Sequence, residues 1–238
     1  MVYLDNLSSK ATKTISLTAV IDTALCVGAG GSTGSLADKP IVRNAQGQLL
    51  IPGSQLKGRL RHECEKLARG LGWKIFLAPL PKTLSPQESE VEDKFKDKYT
   101  VPGYRGYHCL VSQIFGDPIL PSRILVDDLI CSIPATDLAE ILRPSVTINR
   151  RRRTSDEKKL FFLETSPVNA QLKFEGEIYL LPQSPEYSEA LIMAALQHIN
   201  ALGGSKSAGL GWLTWEVSVK TSNKSKNNFD WSQLLPEK

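Results

Sequence analysis

The chain has 238 residues, a formal net charge of +4, and apolar and charged fractions of 41% and 23%; this is enough chain to bury a core and too balanced a composition for a disordered or fibrous protein. No apolar run approaches membrane-spanning length and the N-terminus lacks a signal-type apolar stretch, so a soluble cytoplasmic protein with no membrane partner is expected. Cations cluster at 57–69, 150–153 and 204–226 while acids cluster at 88–97, which favours a polyanionic partner.

Residues 1–12 are polar and expected to be loose. Thr14 to Asp22 then alternates, with Ile15, Leu17, Ala19 and Ile21 on one face and Thr14, Ser16, Thr18 and Val20 on the other, the pattern of a half-buried strand. Gly28 to Ser35 is dense in glycine and small residues, including Gly28, Gly30 and Gly31. Such a loop lets backbone N–H groups approach a phosphate closely. It lacks the GK[ST] ending of a Walker loop, and a plain surface loop explains its composition equally well.

The stretch 49–73 organises the chain. Leu49 to Ile51 is apolar, Pro52 and Gly53 break the run, and Ser54 has the chemistry of a helix N-cap. Leu56, Leu60, Cys64, Leu67 and Leu71 make one buried stripe, with Lys57, Arg59, Arg61, Lys66 and Arg69 elsewhere on the surface. Cations early in a helix oppose its macrodipole, and an anion bound beside Ser54 to Arg61 would relieve the conflict. The alternative is a solvated basic face.

Leu77 to Gly106 has no sustained period and several breakers, so it reads as an insertion or mobile loop. A short helix ending at Gly116 and a strand from Arg123 to Ser132 follow. Residues 144–166 have apolar arms, Val146 and Ile148 against Leu160 to Leu163, around a polar tip, which describes a long hairpin. Its four consecutive arginines, Arg150, Arg151, Arg152 and Arg153, beside aromatic rings supply the charge and stacking planes that single-stranded nucleic acid needs. Pairing of those arginines with Asp156 and Glu157 in a solvated loop is the competing reading.

Gln171 to Leu181 alternates as a strand. Ser184 as cap and Pro185 at the first helical position open an amphipathic helix through Leu191, Ile192, Ala195, Leu196, Ile199 and Leu202 to Gly203. Gly203, Gly204, Ser205, Lys206 and Gly209 lie in a second glycine-rich loop before a last strand, Trp212 to Val219, and the tail is polar. The four cysteines, Cys26, Cys64, Cys109 and Cys131, form no CxxC pair and read as reduced thiols. His62 with Cys64 and His108 with Cys109 match no zinc-finger spacing, so zinc is not expected. His198 falls beside the buried stripe, as a structural histidine does.

The order strand, helix, strand, strand, helix, strand is that of a ferredoxin-like (RRM-like) α+β unit. The reading is one domain over 1–219, with the 77–106 insertion, the 144–166 hairpin as a thumb, and a tail over 220–238. In that order the strands carrying the two glycine loops pair at the sheet centre, bringing both loops near the start of the first helix as one phosphate-binding surface.

The glycine loop leading to DKPIVRN, then IPGSQLKGRLR, an IFGD segment, the hairpin starting SVTINR, and LGGSKSAGLGWL together resemble the RAMP superfamily of CRISPR-associated proteins, and among them the repeated backbone subunit of type III effector complexes. The resemblance implies a subunit that binds guide RNA and meets target RNA within a complex of other CRISPR effector subunits. It implies that Ser54, Lys57, Arg59, Arg61, Gly28 to Gly31 and Gly203 to Gly209 contact guide phosphates. It also implies that the thumb folds over the guide, with Ile148 as a wedge and Arg150 to Arg153 on phosphates. Active relatives cut target RNA with a loop aspartate and a metal such as Mg2+ or Mn2+. Asp38 is the only carboxylate between Asp22 and Arg43; either it serves, or this subunit binds RNA without cutting it. The alternative within the superfamily is a CRISPR repeat-processing endoribonuclease using His62 or His108 as general base.

Overall fold

A computed structural model describes residues 12–28, 37–76, 91–139, 141–168 and 170–221. Gly30, Gly31, residues 77–90 and the tail beyond 221 lie outside the described residues. In chain order come β1 (Lys13–Ile21), β2 (Leu50–Ile51), α1 (Gly53–Gly70), α2 (Asp93–Tyr99), α3 (Leu110–Phe115), β3 (Ile124–Val126) and β4 (Leu129–Cys131). They are followed by β5 (Ile141–Asn149), β6 (Thr154–Thr165), β7 (Leu172–Leu180), α4 (Ser188–His198) and β8 (Leu213–Thr221).

The alternation in β1 is realised: Ile15, Leu17, Ala19 and Ile21 are buried and the residues between them half-buried. All nine of its residues pair antiparallel with β7 on one side and β8 on the other, so the first strand is central. β3 and β4 both pair antiparallel with the far side of β7, and β2 extends the sheet beyond β4. The result is a mixed α+β architecture, as the sequence predicts. One expectation is corrected: β8, which follows the second glycine loop, lies at the outer edge, because β1 is its one partner among the described residues and β7, not β8, carries the sheet onward from β1. The loops still meet, since β1 ends opposite the start of β8, Ile21 facing Leu213.

α1 and α4 cover the face of the sheet that carries Ile15, Leu17, Ala19 and Ile21, and Leu56, Leu60, Cys64 and Ala68 of α1 join Leu191, Ile192, Ala195 and Leu196 of α4 in the same core. The expected stripe holds through Cys64, but Ala68 replaces Leu67 as its fourth buried member, and Leu67 and Leu71 are half-buried. A side chain the size of leucine contributes about 1.5–3 kcal/mol when fully buried, so these residues fix the layer spacing.

Four local expectations change. The single strand over 123–132 is two short strands, because the pairing with β7 is interrupted after Asp127, whose N–H still donates to the Glu177 carbonyl at 3.0 Å; Gly176 of β7 lets Asp128 pass close by, since a Cβ there would lie 2.8 Å from the Asp128 carbonyl oxygen. α1 starts at Gly53, and Ser54 is an exposed residue inside it; the acceptor at the helix start is Asp128, whose Oδ1 takes the Gly53 N–H at 2.7 Å. That carboxylate also supplies the negative charge that the macrodipole favours there. α4 begins at Ser188, because the Ser184 hydroxyl is directed to the carbonyls of Leu181 and Arg123 and Gln183 takes a positive φ of 64°. It ends at His198, which is exposed, because Ala201 already bridges to Trp212.

The fourth change concerns the expected insertion or mobile loop. Within it, Asp93–Tyr99 forms a helix whose Phe95 and Tyr99 are buried. Both rings pack with Trp73, and Tyr99 also meets Phe76 edge-on. The seven-residue helix is too short to display a period, and its aromatic anchors bind it to the end of α1.

The helix start gives a direct test. Asp128→Ala should lower stability by about 1 kcal/mol, as loss of an N-terminal acceptor does, while Ser54→Ala should stay within about 0.5 kcal/mol. Urea denaturation of both variants checks this, and the opposite ranking would return the capping role to Ser54.

Candidate nucleic-acid interface

Beyond β1 the chain does not leave the body. Gly204 donates its N–H to the Cys26 carbonyl at 2.6 Å and Gly211 donates to that of Ala24 at 2.8 Å. The second glycine loop is thus laced to the segment leading into the first. Gly203 and Gly211 are required by this packing: both have positive φ, and a Cβ would lie 2.5 Å from the Cys26 oxygen at Gly203 and 1.8 Å from the Leu202 oxygen at Gly211. Gly28 and Gly209 have open space where a Cβ would stand, so they are the glycines beside which a ligand can approach the backbone. Ser205, Lys206 and Ser207 between them are exposed.

β5 and β6 pair only with each other as a sheet, forming the expected hairpin, longer than predicted at its base. Residues 38–41 run alongside that base. Asp38 and Lys39 both donate their N–H to the Phe162 carbonyl, at 3.1 and 3.3 Å, and Glu164 donates its N–H to the Lys39 carbonyl at 3.1 Å. The Asp38 carboxylate in turn accepts the Phe162 N–H at 2.8 Å. Glu164, almost wholly buried, accepts the Ile41 N–H at 3.0 Å and pairs with Arg43 at 2.8 Å. At the far end, Asn149 builds the tip: its side-chain oxygen accepts the N–H groups of Arg151 and Arg152, both at 3.1 Å, and its carbonyl accepts that of Arg153 at 2.7 Å.

All four arginines of the tip are exposed. The competing expectation paired them with Asp156 and Glu157; among the described residues Asp156 pairs with Lys159 instead, at 2.9 Å. The hydrogen bond from Lys159 holds the Asp156 carboxyl below its usual range. The arm below the tip presents Val146 and Leu160, directly opposite each other, and Ile148, all exposed. Ile148 is the most open of these, at 63%.

Where hairpin base and glycine loop meet, Ala24, Cys26, Leu163 and Leu210 form a small apolar cluster of their own. Burial pushes the Cys26 thiol up, partly offset by the positive charges of Lys39 and Arg143 nearby. A cleft of about 450 Å³ opens beside this cluster, lined among others by Arg143, Pro144, Ser145, Ser205 and Leu210. Sequence reading singled out neither Arg143 nor Asn149. Arg143 could have been found as a cation inside an otherwise apolar hairpin arm, and Asn149 as the residue most able to turn a chain before a polar tip.

This geometry joins a family. A model of the RAMP superfamily matches residues 18–214. The chain belongs to the RAMP superfamily. No curated protein matches it. Among solved structures it is similar to a chain described as "Type IV-B CRISPR Complex", at 18% sequence identity and a TM-score of 0.60, with 94% of this chain and 100% of that chain covered. That likeness is one of fold.

The remaining expected site residues of this RAMP protein lie elsewhere. The start of α1 is hydrogen-bonded to the β3–β4 junction, and its cations are engaged within the body. Lys57 reaches Ser122 at 2.8 Å, Arg59 pairs with Glu63 at 3.0 Å, and Arg61 contacts both Glu65 and the Gly116 carbonyl, at 3.2 and 3.0 Å. Burial and the neighbouring Arg61 hold the Lys57 ammonium below its usual range. The i,i+4 spacing of Arg59 with Glu63 and of Arg61 with Glu65 carried this signal in the sequence. The basic helix therefore resolves largely into internal ion pairs, whereas the four arginines of the hairpin tip stay exposed.

His108 is fully buried; its Nδ1 faces Asp117 and its Nε2 faces the Arg105 carbonyl at 3.2 Å. Both ring nitrogens are engaged inside the body and the ring has no exposed edge, so His108 does not face an RNA strand. His62 is exposed on α1. No group of three or more His, Cys, Asp or Glu is placed to hold a metal among the described residues. Asp38 stands as one carboxylate with an oxygen already occupied by the Phe162 N–H, so this donor set does not by itself fit Mg2+ or Mn2+. Replacing His108 by alanine should cost about 3 kcal/mol, because it leaves a buried Asp117 without its partner, whereas His62→Ala should stay within about 0.5 kcal/mol. Chemical denaturation measures both; equal effects would contradict the structural role of His108.

Proposed function

We propose that this chain is a guide-RNA-binding backbone subunit of a multi-subunit CRISPR effector complex. The observation that carries the reading is convergence: the segment after β1, the second glycine loop and the base of a hairpin with an exposed basic tip meet around one cleft. Membership of the RAMP superfamily and likeness in fold to a chain of a CRISPR complex support it. The interface has the components a single strand requires: exposed backbone for close approach, cations for phosphates, and apolar side chains for base faces.

The type III assignment rests on the motif order of the sequence and is the finer part of this proposal. The chemistry proposed is binding first. Asp38 is exposed at the hairpin base, on the rim where a bound strand would pass, and this favours a second reading in which the assembled complex cuts target RNA beside it. Asp38→Ala should then abolish cleavage at the sites of this subunit and leave RNA affinity within about twofold. Cleavage that persists in this variant would remove Asp38 from the chemistry.

The leading reading is tested by purifying the protein with whatever associates with it and sequencing the RNA. Short RNAs sharing one repeat-derived end, together with other proteins, are the expected result; no RNA, or RNA of random sequence, would count against a guide carrier. On purified protein, affinity for single-stranded RNA should fall linearly with salt on logarithmic axes. Replacing Arg150 to Arg153 by alanine should reduce that slope by about 0.7 for each phosphate the arginines neutralise. A slope unchanged by the fourfold substitution would take the hairpin tip out of the interface.

A further inference from the structure

Two polar groups on one face of the hairpin base lack partners among the described residues. Arg143 half-buries its side chain, and its Nε is enclosed with no hydrogen-bond acceptor among the described residues. Thr165, 2% exposed, carries a hydroxyl that is likewise enclosed and unpartnered among them. Arg143 pairs across the hairpin with Leu163, and Thr165 lies two residues further along the same strand. The strand period of two puts both on one face.

Leaving a buried polar group without a partner costs about 1–3 kcal/mol, and more when it is charged, so such groups are rare unless something else completes them. A guanidinium is an obligate donor that stays charged, and its complement is an oxyanion. Among the described residues no carboxylate fills that place, since Glu164 on the neighbouring position points to the other face and is spent on Arg43 and the Ile41 N–H. Arg143 lines the cleft together with Ser145 on the same hairpin arm and Ser205 on the second glycine loop. Ser205 takes a left-handed φ of 54°, and Ser205 to Ser207 are exposed. The remaining walls, Pro144, Leu163 and Leu210, are apolar and carry no charge that would repel an anion.

We propose that this cleft is a phosphate site in which Arg143 is the principal ligand, with the Ser145 and Ser205 hydroxyls as further donors. The phosphate is one unit of a polynucleotide backbone; this part rests on the guide-RNA reading above. The site lies at the root of the thumb, apart from the arginines of its tip. It therefore fixes a strand where the hairpin leaves the body, and the tip acts on what lies beyond. Lys39, whose charge is felt at Cys26 together with that of Arg143, adds to the potential there.

The test uses Arg143→Ala and Arg143→Lys in the full chain, with two probes: a single-stranded RNA oligomer and inorganic phosphate compared with chloride at equal ionic strength. For RNA, Arg143→Ala should lower affinity about tenfold at 0.1 M salt, as loss of a charge-assisted bond does, and reduce the salt slope by about 0.7. Arg143→Lys keeps the slope and recovers part of the affinity, because a point charge replaces the planar fork. It also serves as the readout if the alanine variant fails to fold. Phosphate should raise the melting temperature of the unsubstituted protein and of Arg143→Lys more than that of Arg143→Ala. If RNA binds the unsubstituted protein and both variants alike, the phosphate site is overturned while the guide-RNA reading stands. If phosphate stabilises through Arg143 but RNA does not bind, the anion site stands and the polynucleotide assignment falls. If neither probe depends on Arg143, the inference is wrong.

Discussion

Four successive carbonyl oxygens after β1, those of Ala24, Leu25, Cys26 and Val27, accept N–H groups from three distant parts of the chain: Gly211 and Gly204, Ser166, and Val42. Leu25 adds its own N–H to the Ser166 hydroxyl at 2.8 Å. Each of these bonds contributes about 0.5–1.5 kcal/mol net, but any one left unmade in a buried segment would cost more than that. The four residues are thus a knot through which the glycine turn, the return strand of the hairpin and the link into α1 are all held. The cleft exists because three of these strands of chain are brought to one place and none fills the space between them.

The hairpin depends on the same knot. Its return arm leaves the body at Ser166 and its base is paired by residues 38–41, so it is bound from two sides before it extends into solvent. Glu164 adds a buried charge that is fully matched, by a backbone N–H and by Arg43. A buried carboxylate with both oxygens occupied tolerates one geometry, and it gives the long arm a defined direction. Asp38 belongs to this clamp through Phe162, so its structural contribution and any contribution to RNA chemistry share one carboxylate.

Charge divides between the body and the hairpin according to what lies within reach. On α1 the cations have carboxylates one helical turn away, and Glu63 and Glu65 are buried deeply enough that pairing is required of them. At the hairpin tip, Asn149 folds the backbone so that four arginines emerge together, while the nearby Asp156 is taken by Lys159. A similar number of positive charges thus stabilises a helix in one place and leaves an open basic surface in the other. Net charge does not distinguish these two outcomes, and the spacing of the opposite charges does.

Much of the architecture was legible in the sequence. The period of two in β1 and β7, the stripe of α1, the hairpin with its basic tip and the α+β class all follow from residue spacing, because burial on one face imposes that spacing locally. The family was legible too, from motifs in the right order. Local signals misled wherever a distant residue took over a local role: Asp128 displaced Ser54 as the acceptor at the helix start, Arg123 and Leu181 engaged Ser184, and Trp73 anchored an aromatic helix inside a segment that reads as a loop. Arg143 illustrates the limit. By itself the sequence determined that a cation stands in the hairpin arm; only the tertiary structure decided that its Nε is enclosed, without an acceptor among the described residues, and beside a cleft, because enclosure is a property of the segments at 24–28 and 203–211 folding against it, far from it along the chain.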